Sequence, residues 1–188
     1  TYTAELGFRE ANALANLTFD TSVFYIRYDN RIGSNSTQFI NTGAARHWGV
    51  DGNLNYELPK INPIPGHWII SLGGEYLNAR FTQNSLIDKT PQYAPTFTGR
   101  IKLSHLINPT FEYAFLFSAV SRQYADDTNT FNQEIPGYGI FDFDFKLKPF
   151  SDQNLAILGS VQNIFDRHYW SRVRSSGIDP APPLSFQA

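Results

Sequence analysis

Arginine and aromatic residues come together at a few points in this sequence. Arg122 stands with Tyr124, and Trp170 with Arg172 and Arg174; Arg80 and Arg31 stand alone at comparable points, where alternating segments run into long polar ones. A guanidinium presents a planar fork of donors that matches carboxylate or phosphate oxygens two at a time, and a neighbouring ring adds flat apolar contact. The chemistry expected of the set is recognition of a small anionic ligand. Each residue taken alone reads better as an interfacial charge with its stem laid along apolar surface.

Other groupings point away from catalysis. Asp142 and Asp144 could pass for paired catalytic carboxylates, but Lys146 and Lys148 continue the same row. Arg100, Lys102 and Glu112 are the cross-strand partners expected for such a charged row. Asp126 and Asp127 form an acidic pair without the graded spacing of a calcium loop. The four histidines, His47, His67, His105 and His168, are scattered. His105 falls at a strand end on an apolar face and suits a satisfied interfacial role, and His47 alone, beside Arg46, is considered for ligand contact. Nucleotide loops, serine elbows and zinc-binding His-Glu-x-x-His helices are not found, and with 0 Cys there is no thiolate chemistry. The expectation is no catalytic residue, no metal site and no cofactor.

The elements that carry these residues show a period of two throughout. Phe141, Phe143, Phe145 and Leu147 fall on one face and Asp142, Asp144, Lys146 and Lys148 on the other, a sorting that only a strand produces. Phe111, Tyr113, Phe115 and Phe117 oppose Glu112, Ala114, Leu116 and Ser118. Phe97, Gly99, Ile101 and Leu103 oppose Thr98, Arg100, Lys102 and Ser104. Leu17, Phe19 and Val23 begin in the same way before Phe24 and Ile26 blur the pattern. About eight such segments of roughly ten residues or more are expected, the length a tilted strand needs to cross a bilayer.

Their connections alternate. Short ones lie near Glu10–Leu14, Pro59–Gly66, Leu106–Thr110 and Lys148–Asn154; long polar ones lie near Asn30–Phe39, Arg80–Pro95, Tyr124–Gly137 and His168–Leu184. Tight turns at one end and large loops at the other belong to an antiparallel up-and-down transmembrane β-barrel. Two aromatic belts are expected: Tyr25, Tyr28, Tyr76, Tyr124, Tyr138, Tyr169 and Trp170 near the long loops, and Tyr56, Trp68, Phe111, Tyr113 and Phe150 near the short turns.

Composition agrees. Aromatic residues make up 15% against 17% charged, a surface suited to something other than bulk water. Net charge is −2 and gives no electrostatic case for nucleic acid. Mean hydropathy of −0.32 would suggest a soluble protein, but strands that alternate lipid-facing and lumen-facing residues average out as polar. The chain has 0 Met, so a fragment or processed product is expected.

The segment Asn163-Ile164-Phe165-Asp166-Arg167-His168-Tyr169, followed by Gly177-Ile178-Asp179-Pro180, resembles the C-terminal end of TonB-dependent outer-membrane receptors. The stretches Asn41–Leu58 and Pro91–His105 resemble other barrel strands of that family. Leu184 stands where the family usually carries an Arg, and the closing strand only begins at Ser185-Phe186-Gln187. The resemblance implies that residues 1–188 are the C-terminal part, about eight to nine strands, of an all-β barrel of ~22 strands. The plug and the TonB-binding segment would lie outside this chain. It implies a bacterial outer-membrane receptor for a scarce nutrient, ferric siderophores above all, with lipopolysaccharide, the cargo and TonB as partners. Asn163, Ile164, Phe165, Asp166 and Tyr169 would be structural. Two other readings stay open at this point: a small self-contained outer-membrane barrel, and a soluble lipocalin-like barrel with its apolar face inward.

Overall fold

The computed structural model describes residues 1–11, 16–34, 39–150, 155–174 and 177–187, with 33, 34, 39, 40 and 174 described in backbone only. Nine strands form one antiparallel sheet: β1 (Tyr2–Ala11), β2 (Leu17–Ser34), β3 (Phe39–Glu57), β4 (His67–Phe81), β5 (Phe97–Asn108), β6 (Phe111–Val120), β9 (Tyr138–Leu147), β10 (Ile157–Gln162) and β13 (Ser185–Gln187). Each pairs with the next in that order, and β1 and β13 are the two edges of the open sheet. Two small hairpins, β7 (Gln123–Tyr124) with β8 (Glu134–Ile135) and β11 (Trp170–Arg174) with β12 (Gly177–Pro180), stand in the long connections.

Register sorts the side chains. Phe143 lies opposite Phe115 and Val161, Leu103 opposite Phe115 and Ile70, and Leu54 opposite Leu72 and Phe19. This makes one continuous apolar face. Many of its members are exposed in the sheet (Leu6 at 75%, Phe8 at 56%, Phe115 at 47%), and that much unburied apolar surface needs a nonaqueous neighbour. Rings cover its gaps: a Cβ on Gly139 would stand 2.8 Å from the Phe117 ring, and the Phe145 ring lies over Gly159 in the same way. The opposite face carries Arg9, Asp20, Asp51, Glu75, Arg100, Lys102, Glu112, Asp144 and Lys146. A blurred stretch of β2 resolves here too, since Phe24 and Ile26 lie on this polar face opposite Gly49 and His47. The Phe24 ring occupies the space that a Cβ on Gly49 would need, 2.6 Å from Cζ.

The turns at the short end follow local chemistry. β5 and β6 are joined through Asn108, whose Oδ1 accepts from Thr110 N–H at 2.9 Å, Thr110 Oγ1 at 2.7 Å and Phe111 N–H at 2.9 Å, an Asx turn. The Pro59–Gly66 connection contains the cis Asn62–Pro63 bond. Its Pro65 carbonyl accepts from His105 Nε2–H at 2.8 Å, which leaves Nδ1 to accept from the Tyr113 hydroxyl at 3.0 Å. Trp68 stacks flat on the same imidazole with centroids 3.9 Å apart. His105 is therefore the satisfied interfacial histidine expected. The turns near Glu10–Leu14 and Lys148–Asn154 fall partly outside the described residues.

Three expectations are corrected. The connection near Asn30–Phe39 is not a free loop on both sides: β2 continues to Ser34 and β3 opens at Phe39, paired past a bulge between Tyr28 and Arg31. Pairing wins because it gives the backbone groups partners that an open loop would leave to water. Tyr28 and Tyr138 do not join the outward aromatic belt. Register puts Tyr28 opposite Ala45 and Tyr138 opposite Val120, on the polar face, while Tyr124 and Tyr169 belong to the long connections. Lastly, Arg100 and Lys102 do not pair with Asp142 and Asp144. Register sets those carboxylates opposite Leu116 and Ala114, so Asp142 accepts from Asn163 N–H at 2.8 Å and Asp144 from the Ser160 hydroxyl at 2.8 Å. Glu112, one of the partners expected for the row, does reach it, 3.8 Å from Lys146.

Candidate functional site

The long connections dock onto one another and make a rim above the sheet. Past the β2 bulge, Arg31 turns toward the polar side. Its Nη1 donates to Asp127 Oδ1 at 3.2 Å, and its guanidinium lies 5.1 Å from the centroid of the fully buried Phe81 ring. Asp127 Oδ1 also accepts from Gln92 N–H at 2.8 Å, and Asn129 takes Thr90 N–H and returns a bond to Thr90 O, both at 2.7 Å. The β2–β3 hairpin, the β4–β5 connection and the β6–β9 connection are thereby fastened at one place. Asp126 holds its own turn, accepting from the hydroxyls of Thr128 and Thr130 and from Thr130 N–H. Burial pushes its carboxyl up, but these donors together outweigh burial and leave it below its ordinary value of 3.8. Both carboxylates of the acidic pair thus have protein partners.

A second junction surrounds Tyr93. Its N–H donates to Tyr124 O at 2.7 Å and its hydroxyl to Val173 O at 2.8 Å, while the Arg172 guanidinium lies 5.4 Å over its ring. Ala125, Ile135 and Val173 form a small core against it. The β11–β12 hairpin is thereby tied to the β4–β5 and β6–β9 connections, with Trp170 and Arg172 left exposed on the rim.

The residues expected to bind a ligand divide accordingly. Arg172 and Trp170 share the β11–β12 hairpin, and Tyr124 supports it through Tyr93. Arg122 is exposed and pairs with Glu134 at 3.2 Å, in the β7–β8 hairpin. Arg80 bonds the Thr90 hydroxyl. The side chain of Arg174 lies outside the described residues. Arg31, like Arg80 a weaker expectation, has both an ion pair and a ring contact; sequence reading missed Asp127 and Phe81 as its company, and Tyr93 and Asn129 as the residues that brace the neighbouring connections. Arg31 and Asp127 are 96 positions apart, and no local spacing announces such a pair. His47 lies on the polar face, its ring edge-on to Tyr28 at 5.1 Å, and its Nε2 is buried without a partner among the described residues. A groove of about 740 Å³ on the polar face, lined by Ser71, Lys102, Glu112, Asp144, Lys146 and Ser160, lies toward the short turns, away from the rim arginines.

The resemblance motif is a tight structural turn. Asn163 and Asp166 both adopt left-handed backbone, with φ of 52° and 48°, a region Asn and Asp tolerate better than other side chains. Buried Asn163 donates to Arg167 O at 2.9 Å and Pro182 O at 3.3 Å, and accepts from Arg167 N–H at 2.9 Å. Asp166 Oδ1 accepts from Leu184 N–H at 3.0 Å. Phe165 lies edge-on to Phe141, Ile164 N–H donates to Phe141 O, and Tyr169 packs against Tyr138 with centroids 4.4 Å apart. The motif ties the last long connection to β9.

An antiparallel sheet with an apolar outward face, a charged inner face, tight turns at one end and interlocked loops at the other defines the wall of a membrane-spanning β-barrel. Solved structures share this fold. The ferric citrate transporter FecA, in its unliganded form, superposes with a TM-score of 0.82 at 23% identity, over 98% of this chain and 30% of that one. The ferric yersiniabactin uptake receptor FyuA from Yersinia pestis gives 0.77 at 19% identity, over 98% and 28%. The copper transporter OprC gives 0.76 at 16%, over 98% and 30%. The chain thus spans less than a third of the length of each. The family model for TonB dependent receptor-like β-barrels matches residues 1–164. The chain belongs to that family, one of outer-membrane transport receptors rather than enzymes.

Proposed function

We propose that the whole protein is a TonB-dependent importer of a scarce nutrient, carried as an anionic metal chelate of the ferric siderophore type. In this reading, residues 1–188 form the C-terminal part of its barrel domain, and the plug and the TonB-binding segment belong to the rest of the protein. TonB and the lipopolysaccharide of the outer leaflet are its other partners. The observation that carries the reading is the rim itself: Trp170 and Arg172 stand exposed on a hairpin braced by Tyr93, with Arg122 on a neighbouring connection. A braced cation beside an aromatic ring suits a chelate with outward carboxylate or phenolate oxygens. Two of the similar structures are named for ferric citrate and ferric yersiniabactin, and a third for copper.

Equilibrium binding to the full-length protein tests this, with ferric citrate, a ferric catecholate and Cu²⁺ as probes. One ferric chelate is expected to bind, with affinity falling about tenfold, roughly 1.4 kcal/mol, in the Trp170→Ala/Arg172→Ala double variant. Binding of Cu²⁺ alone, or chelate binding indifferent to both substitutions, would contradict it.

A further inference from the structure

The connection that carries Tyr93 is pinned along its length. Pro91 and Pro95 fix φ on either side of it, Pro91 is fully buried, and Gln92 N–H is bonded to Asp127. Tyr93 itself has a left-handed backbone, with φ of 55°, an uncommon conformation for an aromatic residue. Such strain persists only where the surroundings over-determine it, and it gathers at ligand clamps. Here the surroundings are the N–H bond to Tyr124 O, the hydroxyl bond to Val173 O and the small core of Ala125, Ile135 and Val173.

These constraints meet at Arg172. Val173, the next residue, is anchored through its carbonyl, and the Arg172 guanidinium lies 5.4 Å over the Tyr93 ring. The pairing of β11 with β12 slips between Trp170 and Arg172, an irregularity of the kind that re-aims a side chain. A ring face attracts the cation electrostatically, while the N–H groups in the guanidinium plane stay open to an anion. An exposed arginine without such support spreads over many rotamers.

We infer that Tyr93 is a positioning residue, which holds the Arg172 guanidinium in its binding orientation before any ligand arrives. The rim site is then preformed for an anion rather than assembled around it. The inference rests on the reading of Trp170 and Arg172 as chelate-binding residues and adds the group that presets them. Apparent affinity scales with the fraction of molecules already in the competent state, so releasing the guanidinium weakens binding in proportion.

The test is equilibrium and rapid-mixing binding of ferric citrate and of a ferric catecholate to the full-length protein. Proteins compared are wild type, Tyr93→Phe, Tyr93→Leu, Arg172→Gln and the Tyr93→Leu/Arg172→Gln double variant. For the chelate that binds, Tyr93→Leu is expected to lower affinity about fivefold through slower association, with dissociation unchanged, because the bound contacts survive. Loss of a contact acts mainly on dissociation instead, and Arg172→Gln should show that pattern. Tyr93→Phe keeps the ring and should restore association to within about twofold of wild type. The double variant should bind no more weakly than Arg172→Gln, since the ring acts through the guanidinium. Additive losses, or a Tyr93→Leu defect seen only in dissociation, would overturn the inference. If Tyr93→Leu does not fold, association slowed fivefold or more in Tyr93→Phe overturns it equally. Binding that depends on Arg172 but not on Tyr93 sinks this inference alone; binding indifferent to Arg172 sinks the chelate reading with it.

Discussion

Asn163 is buried in the turn that ties the last long connection to β9. Its buried amide satisfies three backbone groups while its own backbone holds a left-handed conformation. Asn163→Ala strands those groups and puts a residue poorly suited to positive φ at the turn. The expected loss is about 2–4 kcal/mol of stability in the last long connection, since a buried group left without a partner costs roughly 1–3 kcal/mol. Hydrogen exchange of Ile164–Tyr169 and Leu184 in the full-length protein would read it directly. Unchanged protection would show that the motif is held by something other than its side-chain bonds. His105 follows the same logic at the opposite end of the sheet, where one imidazole joins a proline turn, a tyrosine hydroxyl and a tryptophan face.

Among the elements, the strands themselves were legible in the sequence, because lipid on one side and lumen on the other impose a chemical alternation that is read residue by residue. The faces assigned to Phe141–Leu147 and Phe97–Ser104 hold in the observed register. Alternation fails as a guide where apolar side chains fall on the polar face as well. Phe24 and Ile26 face the polar side near the rim, and the bulge at Arg31 shifts register where no periodicity could reveal it. The loop contacts were illegible for a different reason. Arg31 with Asp127 and Tyr93 with Val173 join connections 96 and 80 positions apart. Their interdependence can be measured: Arg31→Gln, Asp127→Asn and the double variant form a cycle whose coupling is expected at about 1–2 kcal/mol, as for a half-buried charged pair in one network. Proteolysis of the β2–β3 hairpin should accelerate in the Asp127→Asn variant, although the substitution lies in a different connection. Strict additivity would mean that the connections fold independently.

For the molecule as a whole, every feature depends on which face of the sheet meets lipid. The outward rings, the inward charges and the rim above all change meaning if the faces are exchanged, as the soluble-barrel reading requires. Strand β9 offers the sharpest contrast, with Phe141, Phe143 and Phe145 alternating with Asp142, Asp144 and Lys146. This chain has 0 Cys of its own, so single cysteines can be placed along the strand in the full-length protein, and spin labels attached to them after reconstitution in membranes. Collision with dissolved oxygen, which concentrates in lipid, is expected to peak at 141, 143 and 145 and to fall at 142, 144 and 146, a period of two. Oxygen accessibility that peaks at 142, 144 and 146, or that shows no alternation, would contradict the placement of this chain as the wall of an outer-membrane receptor.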